Sequence, residues 1–288
     1  MKLIRPYTEI WEQAPGMEGM LRHIERCARV CYKSEDKIGE GTAEKMFEML
    51  KDKGHTAMLE HGTVYLYTRY TNTNFSKIID RYTHNKYSVC KVNIQDAYIT
   101  SNMRVLIENN WLDDLKYLCK PTKYHEKRIT VKFICDRGIS HELVRHRVFS
   151  FAQESTRYCN YSKNKFNNEI TYILPPWVDM RQLGNHNSKE LLIQMGNLNS
   201  PSYSQDDLRE LYFLFGLASS EIQYFDLINN GWTPQQARSV LPNSLKTEVC
   251  MTGFESDWDH FFELRCAQAA HPQMRELAIP LQETFKTL

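Results

Sequence analysis

Four of the seven residues from His141 to Arg147 (HELVRHR) are histidine or arginine, and Ser150, Gln153, Ser155 and Arg157 follow at short spacing. Cations at this density repel one another unless an anion sits among them. The arginine guanidinium also carries a planar donor fork that matches phosphate oxygens. The stretch 141–158 therefore predicts an anion site. A merely solvated basic face would leave Phe149, Phe151 and Tyr158, interleaved with the polar groups, without a purpose.

HELVRH also invites a zinc-hydrolase reading, because HExxH puts two histidines on one helical face. Here Arg145 stands four residues after His141, and a permanent cation holds no metal. On a helix His146 would fall about 140° around the axis from His141, so no metal site is expected. Glu142 and His146 are instead spaced to orient each other. Arg145 and Arg147 are expected near the C-terminal end of that helix, where its dipole offsets their repulsion. Ser155 and Arg157, two apart, would share one side of an extended chain, and a hydroxyl beside a guanidinium makes a phosphate clamp. A nucleophilic Ser155 is disfavoured, because no G-x-S-x-G elbow surrounds it. The chain has neither a GxGxxG turn after a strand nor a P-loop. A bound dinucleotide must then be held by side chains.

The elements that position these residues are legible from periodicity and punctuation. Helical spacing of Met17, Met20, Leu21, Ile24, Ala28 and Cys31 predicts a helix over 15–33, and Ala43, Met46, Phe47 and Leu50 predict a second over 42–52, closed by Gly54. Crowded β-branched and aromatic residues predict strands at 62–70, 129–135 and 169–174, the last closed by Pro175-Pro176. The stretch 72–127 is polar and aromatic, with one helix expected between Ser101 and Pro121. Ser140 is expected to cap the helix carrying HELVRHR. Ser204 to Asp207 reads as a capping box opening a helix that ends near Gly231, Thr233-Pro234 launches QQARSVL, and Ser256 to Asp259 opens a helix carrying HFFELR. Irregular alternation of helices and strands predicts an α/β fold of the α+β type, a mixed β-sheet core flanked by helices, in one domain over 1–288 with an insertion at about 72–127.

Composition narrows the function classes. Lys and Arg number 36 against 35 acids, so the basic density at 141–158 is local, which favours a small anionic ligand over nucleic acid. The N-terminus MKLIRPYTEI lacks the apolar core of a signal peptide, and no run approaches the ~18 apolar residues of a membrane span. The eight cysteines form no CxxC, and reduced thiols in the cytoplasm are the expectation. Cys27 and Cys31, one helical turn apart on an apolar stripe, read as core.

RHRVFSFAQESTRY, with RHR at 145–147, then Ser155 and Arg157, resembles the signature of the flavin-dependent thymidylate synthases. ARVCY at 28–32, GHTAMLEH at 54–61, ARSVLP at 237–242 and HFFELR at 260–265 resemble further segments of that family, in the right order. The resemblance spans the chain except 72–127 and about 178–203. It implies conversion of dUMP to dTMP, with methylenetetrahydrofolate giving the carbon and FAD, reduced by NADPH, giving the hydride. It also implies a homotetramer with active sites shared between subunits, and no nucleic-acid or membrane partner. By position, Arg145 would touch dUMP and lie beside the flavin, and His146 and Arg147 would lie at the flavin. Gln153, Ser155 and Arg157 would hold dUMP, with Gln153 also near the flavin and with Arg157 and Arg238 at the phosphate. Glu142 would be another substrate-side residue, and His55, Glu60 and His260 would lie near the flavin. Arg265 would be the catalytic cation at the uracil ring, where a charge that does not titrate can stabilise negative charge developing on the O2/N3 edge.

The sequence departs from the family pattern at Phe254 and Ser256, where polar flavin contacts are usual, and at Ala57, where a hydroxyl is usual. These departures bear on the flavin's adenine and phosphate contacts. A thymidylate synthase of the non-flavin kind needs a reactive cysteine, and no cysteine here sits in such a motif; Cys159 reads as structural. Two rival readings are a non-catalytic nucleotide- or RNA-binding protein gripping phosphates through 141–158, and a metallohydrolase built on HELVRH.

Overall fold

The computed structural model describes residues 1–195 and 204–288. Along the chain run β1 (Lys2–Ile4), β2 (Tyr7–Trp11), α1 (Gly16–Tyr32), α2 (Thr42–Asp52), β3 (Thr63–Arg69), α3 (Phe75–Thr83), β4 (Val89–Val92), β5 (Asp96–Asn102) and α4 (Met103–Glu108). Then follow β6 (Arg128–Asp136), α5 (Arg137–Leu143), β7 (Ser150–Gln153), β8 (Thr171–Ile173), β9 (Gly184–Asn185), α6 (Ser188–Met195), α7 (Gln205–Asn229), α8 (Pro234–Ala237), β10 (Lys246–Phe254), α9 (Glu255–Arg265) and α10 (Pro272–Phe285). The fold is α/β, and its described strands are divided among three sheets: β2-β6-β10-β7, β8-β1-β9 and β3-β5-β4. Only the small β8-β1-β9 sheet is mixed, β1 pairing in parallel with β8 and antiparallel with β9. The other two are antiparallel throughout.

The β2-β6-β10-β7 sheet carries the site. Its long strands β6 and β10 are buried on both faces along most of their length, which explains their near-continuous apolar runs. Val131, Phe133, Val249 and Met251 pack against Trp258, Phe261 and Phe262 of α9 and Leu277 of α10. On the other face Cys250 and Ala152 meet Cys27 and Val30 of α1. A buried polar chain threads that face: His23 Nε2 lies 2.8 Å from Thr130 Oγ1, which lies 2.7 Å from Thr252 Oγ1, which lies 2.7 Å from His61 Nδ1. Cys27 is fully buried, as its place on the apolar stripe predicts, and Cys31 only partly so.

Residues 72–127 carry more structure than their polar composition predicts. They hold α3, β4, β5 and α4. Ile78, Tyr82, Ile99 and Leu106 share one apolar cluster with Met20 and Ile24 of α1 and Leu50 of α2. Only α4 was expected: β4 is four residues long, and β5 is fixed by pairing along its whole length with β3, outside the segment.

Several local expectations change. Asp136, not Ser140, caps α5, its Oδ1 accepting from Ile139 N at 2.8 Å. The helix stops at Leu143, so the RHR triplet lies beyond it rather than on its last turn. The signal was ambiguous because Asp136 and Ser140 are both good caps, and strand β6 ends directly at the first of them. Phe254 rather than Ser256 stands at the N-cap of α9, where Asp257 Oδ2 accepts from its backbone N at 3.1 Å. The capping box at Ser204–Asp207 forms as the spacing predicts, and Thr233 with Pro234 opens α8 as expected, although α8 lasts one turn before a tighter turn over Arg238–Val240. The segment at about 178–203 lies partly outside the described residues. Among those described, no helix is long and apolar enough to cross a membrane.

Candidate active site

Beyond α5 the RHR triplet alternates outward, inward, outward: Arg145 and Arg147 are exposed and His146 is buried. His146 packs edge-on to Phe261, with ring centroids 5.1 Å apart. Its Nε2 accepts from Arg265 Nε at 2.8 Å. Burial, followed by the charges of Arg265 and His260, pushes the imidazole down to about 4, so it is neutral at pH 7 and free to accept. Arg265 Nη1 binds Glu142 Oε2 at 2.7 Å and Nη2 binds the Glu142 carbonyl at 3.1 Å. Glu142 and His146 thus meet through Arg265 rather than directly, because the helix ends between them. Each Nη keeps a second N–H beyond these bonds. His260, on the same helix as Arg265, is exposed beside Glu263.

The Ser155–Arg157 segment is a turn, not an extended chain: Tyr158 N and Cys159 N both donate to the Ser155 carbonyl, at 3.0 and 3.1 Å. It is docked on α1 through Ser155 N to the Cys31 carbonyl at 3.2 Å. Arg238 reaches it from the turn after α8, donating through Nη1 to Thr156 Oγ1 at 3.1 Å, which brings Arg157 and Arg238 to one locality. His55 joins the same locality through Tyr32, its Nδ1 3.1 Å from the Tyr32 hydroxyl, whose ring lies 5.9 Å from that of Tyr158. Gln153, at the end of β7, donates through Nε2 to Ser140 Oγ at 2.9 Å, which leaves its carbonyl oxygen available as an acceptor.

A cavity of about 820 Å³ opens beside the triplet. Of the anticipated residues it takes in Glu60 and Arg147; Val148, Phe149 and Ser150 continue the wall. Gly253 allows this packing, because a Cβ there would lie 2.3 Å from the Phe149 ring. Sequence reasoning missed Arg128, whose Nη1 donates to the Glu60 carbonyl at 2.9 Å and whose guanidinium lies 5.6 Å over the Phe254 ring. Burial lowers Arg128 to about 10, still a cation at neutral pH. A lone arginine heading an apolar strand was the available signal. Also missed was the opposite wall, built by residues 84–87 and 102–109. Ala57 is exposed away from this lining, as is Ser256, while Phe254 forms part of it. Among the described residues no group of three metal-ligating side chains gathers, and His141 is exposed on α5 away from the buried His146.

A family model described as thymidylate synthase complementing protein matches residues 125–288, which contain the triplet, the Ser155–Arg157 turn, Arg238 and Arg265. The chain belongs to this family. Flavin-dependent thymidylate synthases from Mycobacterium avium (strain 104) and Geobacter sulfurreducens are 30% and 27% identical to it over 147 and 150 residues. These alignments cover 50% and 52% of this chain, and the chain spans about half of each relative, 51% and 52%. A third, from Corynebacterium aurimucosum, is 26% identical over 275 residues, covering 93% of this chain and 77% of the relative. The family match begins at residue 125, so the cavity wall at 84–109 lies outside it.

Proposed function

We propose that the protein is a flavin-dependent thymidylate synthase, converting dUMP to dTMP with methylenetetrahydrofolate as carbon donor and FAD, reduced by NADPH, as hydride carrier. The observation that carries this reading is the division of labour in the RHR triplet: His146 is buried and locked to Arg265, while Arg147 faces a dinucleotide-sized cavity. That cavity suits FAD, since Arg128 reaches it from β6 and Arg147 from the turn after α5, and the buried Arg128 Nε has no partner in the protein. Glu60, Arg128 and Arg147 would hold the cofactor, which when reduced would supply the hydride.

The substrate would be held by the remaining groups. Arg157 and Arg238 would take the dUMP phosphate, with the Ser155 hydroxyl as a further donor. The free carbonyl oxygen of Gln153 would accept the uracil imide N–H. Arg265, aimed by Glu142 and by the neutral His146, would present its spare Nη hydrogens to the ring oxygen that gains charge when C5 becomes nucleophilic. Arg145, exposed beside the triplet, would bridge the two ligands. The Ser155–Arg157 turn contributes nothing to the lining of the cavity in one chain, which supports a homotetramer in which one subunit's turn faces another's cavity.

The test is tritium release from C5-labelled dUMP with FAD, NADPH and methylenetetrahydrofolate, each omitted in turn. Release that needs all three is expected. Release independent of flavin, or none from folded protein, would overturn the assignment.

A further inference from the structure

We propose that the cavity wall built by residues 84–109 is a pyrophosphate-binding wall, with Lys86 joining Arg147 of the same lining as the second cation on one adenine dinucleotide. The proposal rests on the flavin-dependent reading only for which dinucleotide binds.

The charges around the cavity do not cancel locally. Of its three carboxylates, Glu60 and Glu108 are both taken by Arg104, at 2.5 and 2.7 Å, and Asp257 accepts the backbone N of Phe254. Lys86 and Arg147 remain; among the described residues neither has a carboxylate within ion-pair distance. Arg128 adds a third charge lower in the cavity, its buried Nε unpartnered. Two cations without carboxylate partners lining one cavity create a positive potential that an anion with two charged centres relieves. A pyrophosphate has that form, and about 820 Å³ lies within the range for a nucleotide-sized ligand.

Lys86 is held in place. The chain leaves α3 at Thr83 and turns at Asn85, whose Oδ1 accepts from Tyr87 N at 2.9 Å and whose carbonyl accepts from Ser88 N at 3.1 Å. Ser88 Oγ lies 2.8 Å from Ser101 Oγ, tying the turn to β5. The turn puts Lys86 at the cavity with its ammonium 4.8 Å over the Tyr87 ring, and Tyr87 itself is half exposed at the rim. A cation beside an exposed aromatic face suits a phosphate joined to an adenine ring. Phe254 puts an apolar ring on the strand side of this cavity, and the stretch 84–87 adds a cationic contact to the same lining.

The experiment titrates FAD, NADPH and ADP into the full-length protein and into Lys86→Glu and Tyr87→Ala, following flavin fluorescence and binding heat, with dUMP as a control ligand. Lys86 and Tyr87 are both exposed, so the variants are expected to fold; melting curves check this. The expected result is a loss of tenfold or more in ADP affinity in Lys86→Glu, a smaller loss in Tyr87→Ala, and unchanged dUMP affinity. If FAD shares the loss and NADPH does not, the wall holds the flavin; the reverse assigns it to the nicotinamide donor. The proposal is overturned if wild type binds none of the three, or if Lys86→Glu binds all of them within twofold of wild type. Absent tritium release together with Lys86-dependent ADP binding would sink the synthase assignment and leave the wall standing.

Discussion

Two groups of charges in the molecule are treated in opposite ways. In one, Lys33, Lys132 and Lys246 surround the buried Glu248 and Glu154: Lys33 and Lys132 approach Glu248 at 2.6 and 2.8 Å, Lys246 bonds to it as well, and Lys246 reaches Glu154 at 3.0 Å. Against the cost of burial, Lys246 and Lys33 hold the Glu248 carboxyl far below the usual range, and Glu154 and Glu248 hold the Lys33 ammonium well above its own. In the other, Arg145, Arg147, Arg157 and Arg238 are exposed and, among the described residues, none has a carboxylate within ion-pair distance. The same kinds of side chain therefore do different work. The neutralised cluster holds Glu154, the residue before the Ser155–Arg157 turn, and the unneutralised cations are left to meet an anion.

That contrast breaks most visibly at Glu248. Glu248→Ala leaves lysines facing one another in a largely buried place, and a loss of about 3–5 kcal/mol is expected in denaturant unfolding. A loss below about 1 kcal/mol would mean that the cluster is already well solvated. Arg157→Ala should do the opposite, weakening dUMP binding by about 2–3 kcal/mol while leaving the melting temperature in place; calorimetric titration with unchanged dUMP affinity would remove the phosphate role.

Arg265→Ala stands between the two groups, because Arg265 is both paired and aimed. Turnover should fall more than dUMP affinity, and the His146 imidazole should titrate above its present value of about 4, since the second cause of its depression is gone. NMR titration of the His146 ring reads the second effect without any substrate. An unmoved value would leave the depression to burial and His260.

The pH dependence separates the groups again. His146 binds its proton less readily folded than unfolded, so its share of stability is complete above about 6.5 and is lost as pH falls from there towards about 4. Glu248 adds a loss at lower pH, as it falls below the ordinary carboxylate range, and Lys33 a loss on the alkaline side, as pH rises beyond the ordinary lysine range. Thermal melts should show His146→Phe flattening only the step between about 6.5 and 4. The smallest effect is expected at Arg145→Ala, within about 0.5 kcal/mol in stability, as for an exposed residue with no ion pair.

The HELVRHR segment shows how far the sequence could be read. Cation density predicted an anion site, and the two exposed arginines keep that charge available; the i, i+4 spacing predicted a Glu142–His146 pair, and the helix ended one residue after Glu142. The helices at 16–32 and 42–52 were legible because their apolar spacing is strong. Strand β7 was not, since Ser150–Gln153 is short and its pairing with β10 lies about a hundred residues away.

The sequence by itself determined what is strongly periodic or punctuated: the helices at 16–32 and 42–52, the capping box at Ser204–Asp207, and that one stretch carries surplus cations. Such features depend on hydrogen bonds and periodicities within a few residues. Tertiary structure alone decided which charges are cancelled. The Arg265–Glu142 pair spans 123 residues and the Lys33–Glu248 pair 215. That Lys86 and Arg147 line one cavity depends on a turn tied to another sheet through Ser88 and Ser101. Coulomb energies depend on distance and burial in space, and neither is written in the spacing of letters.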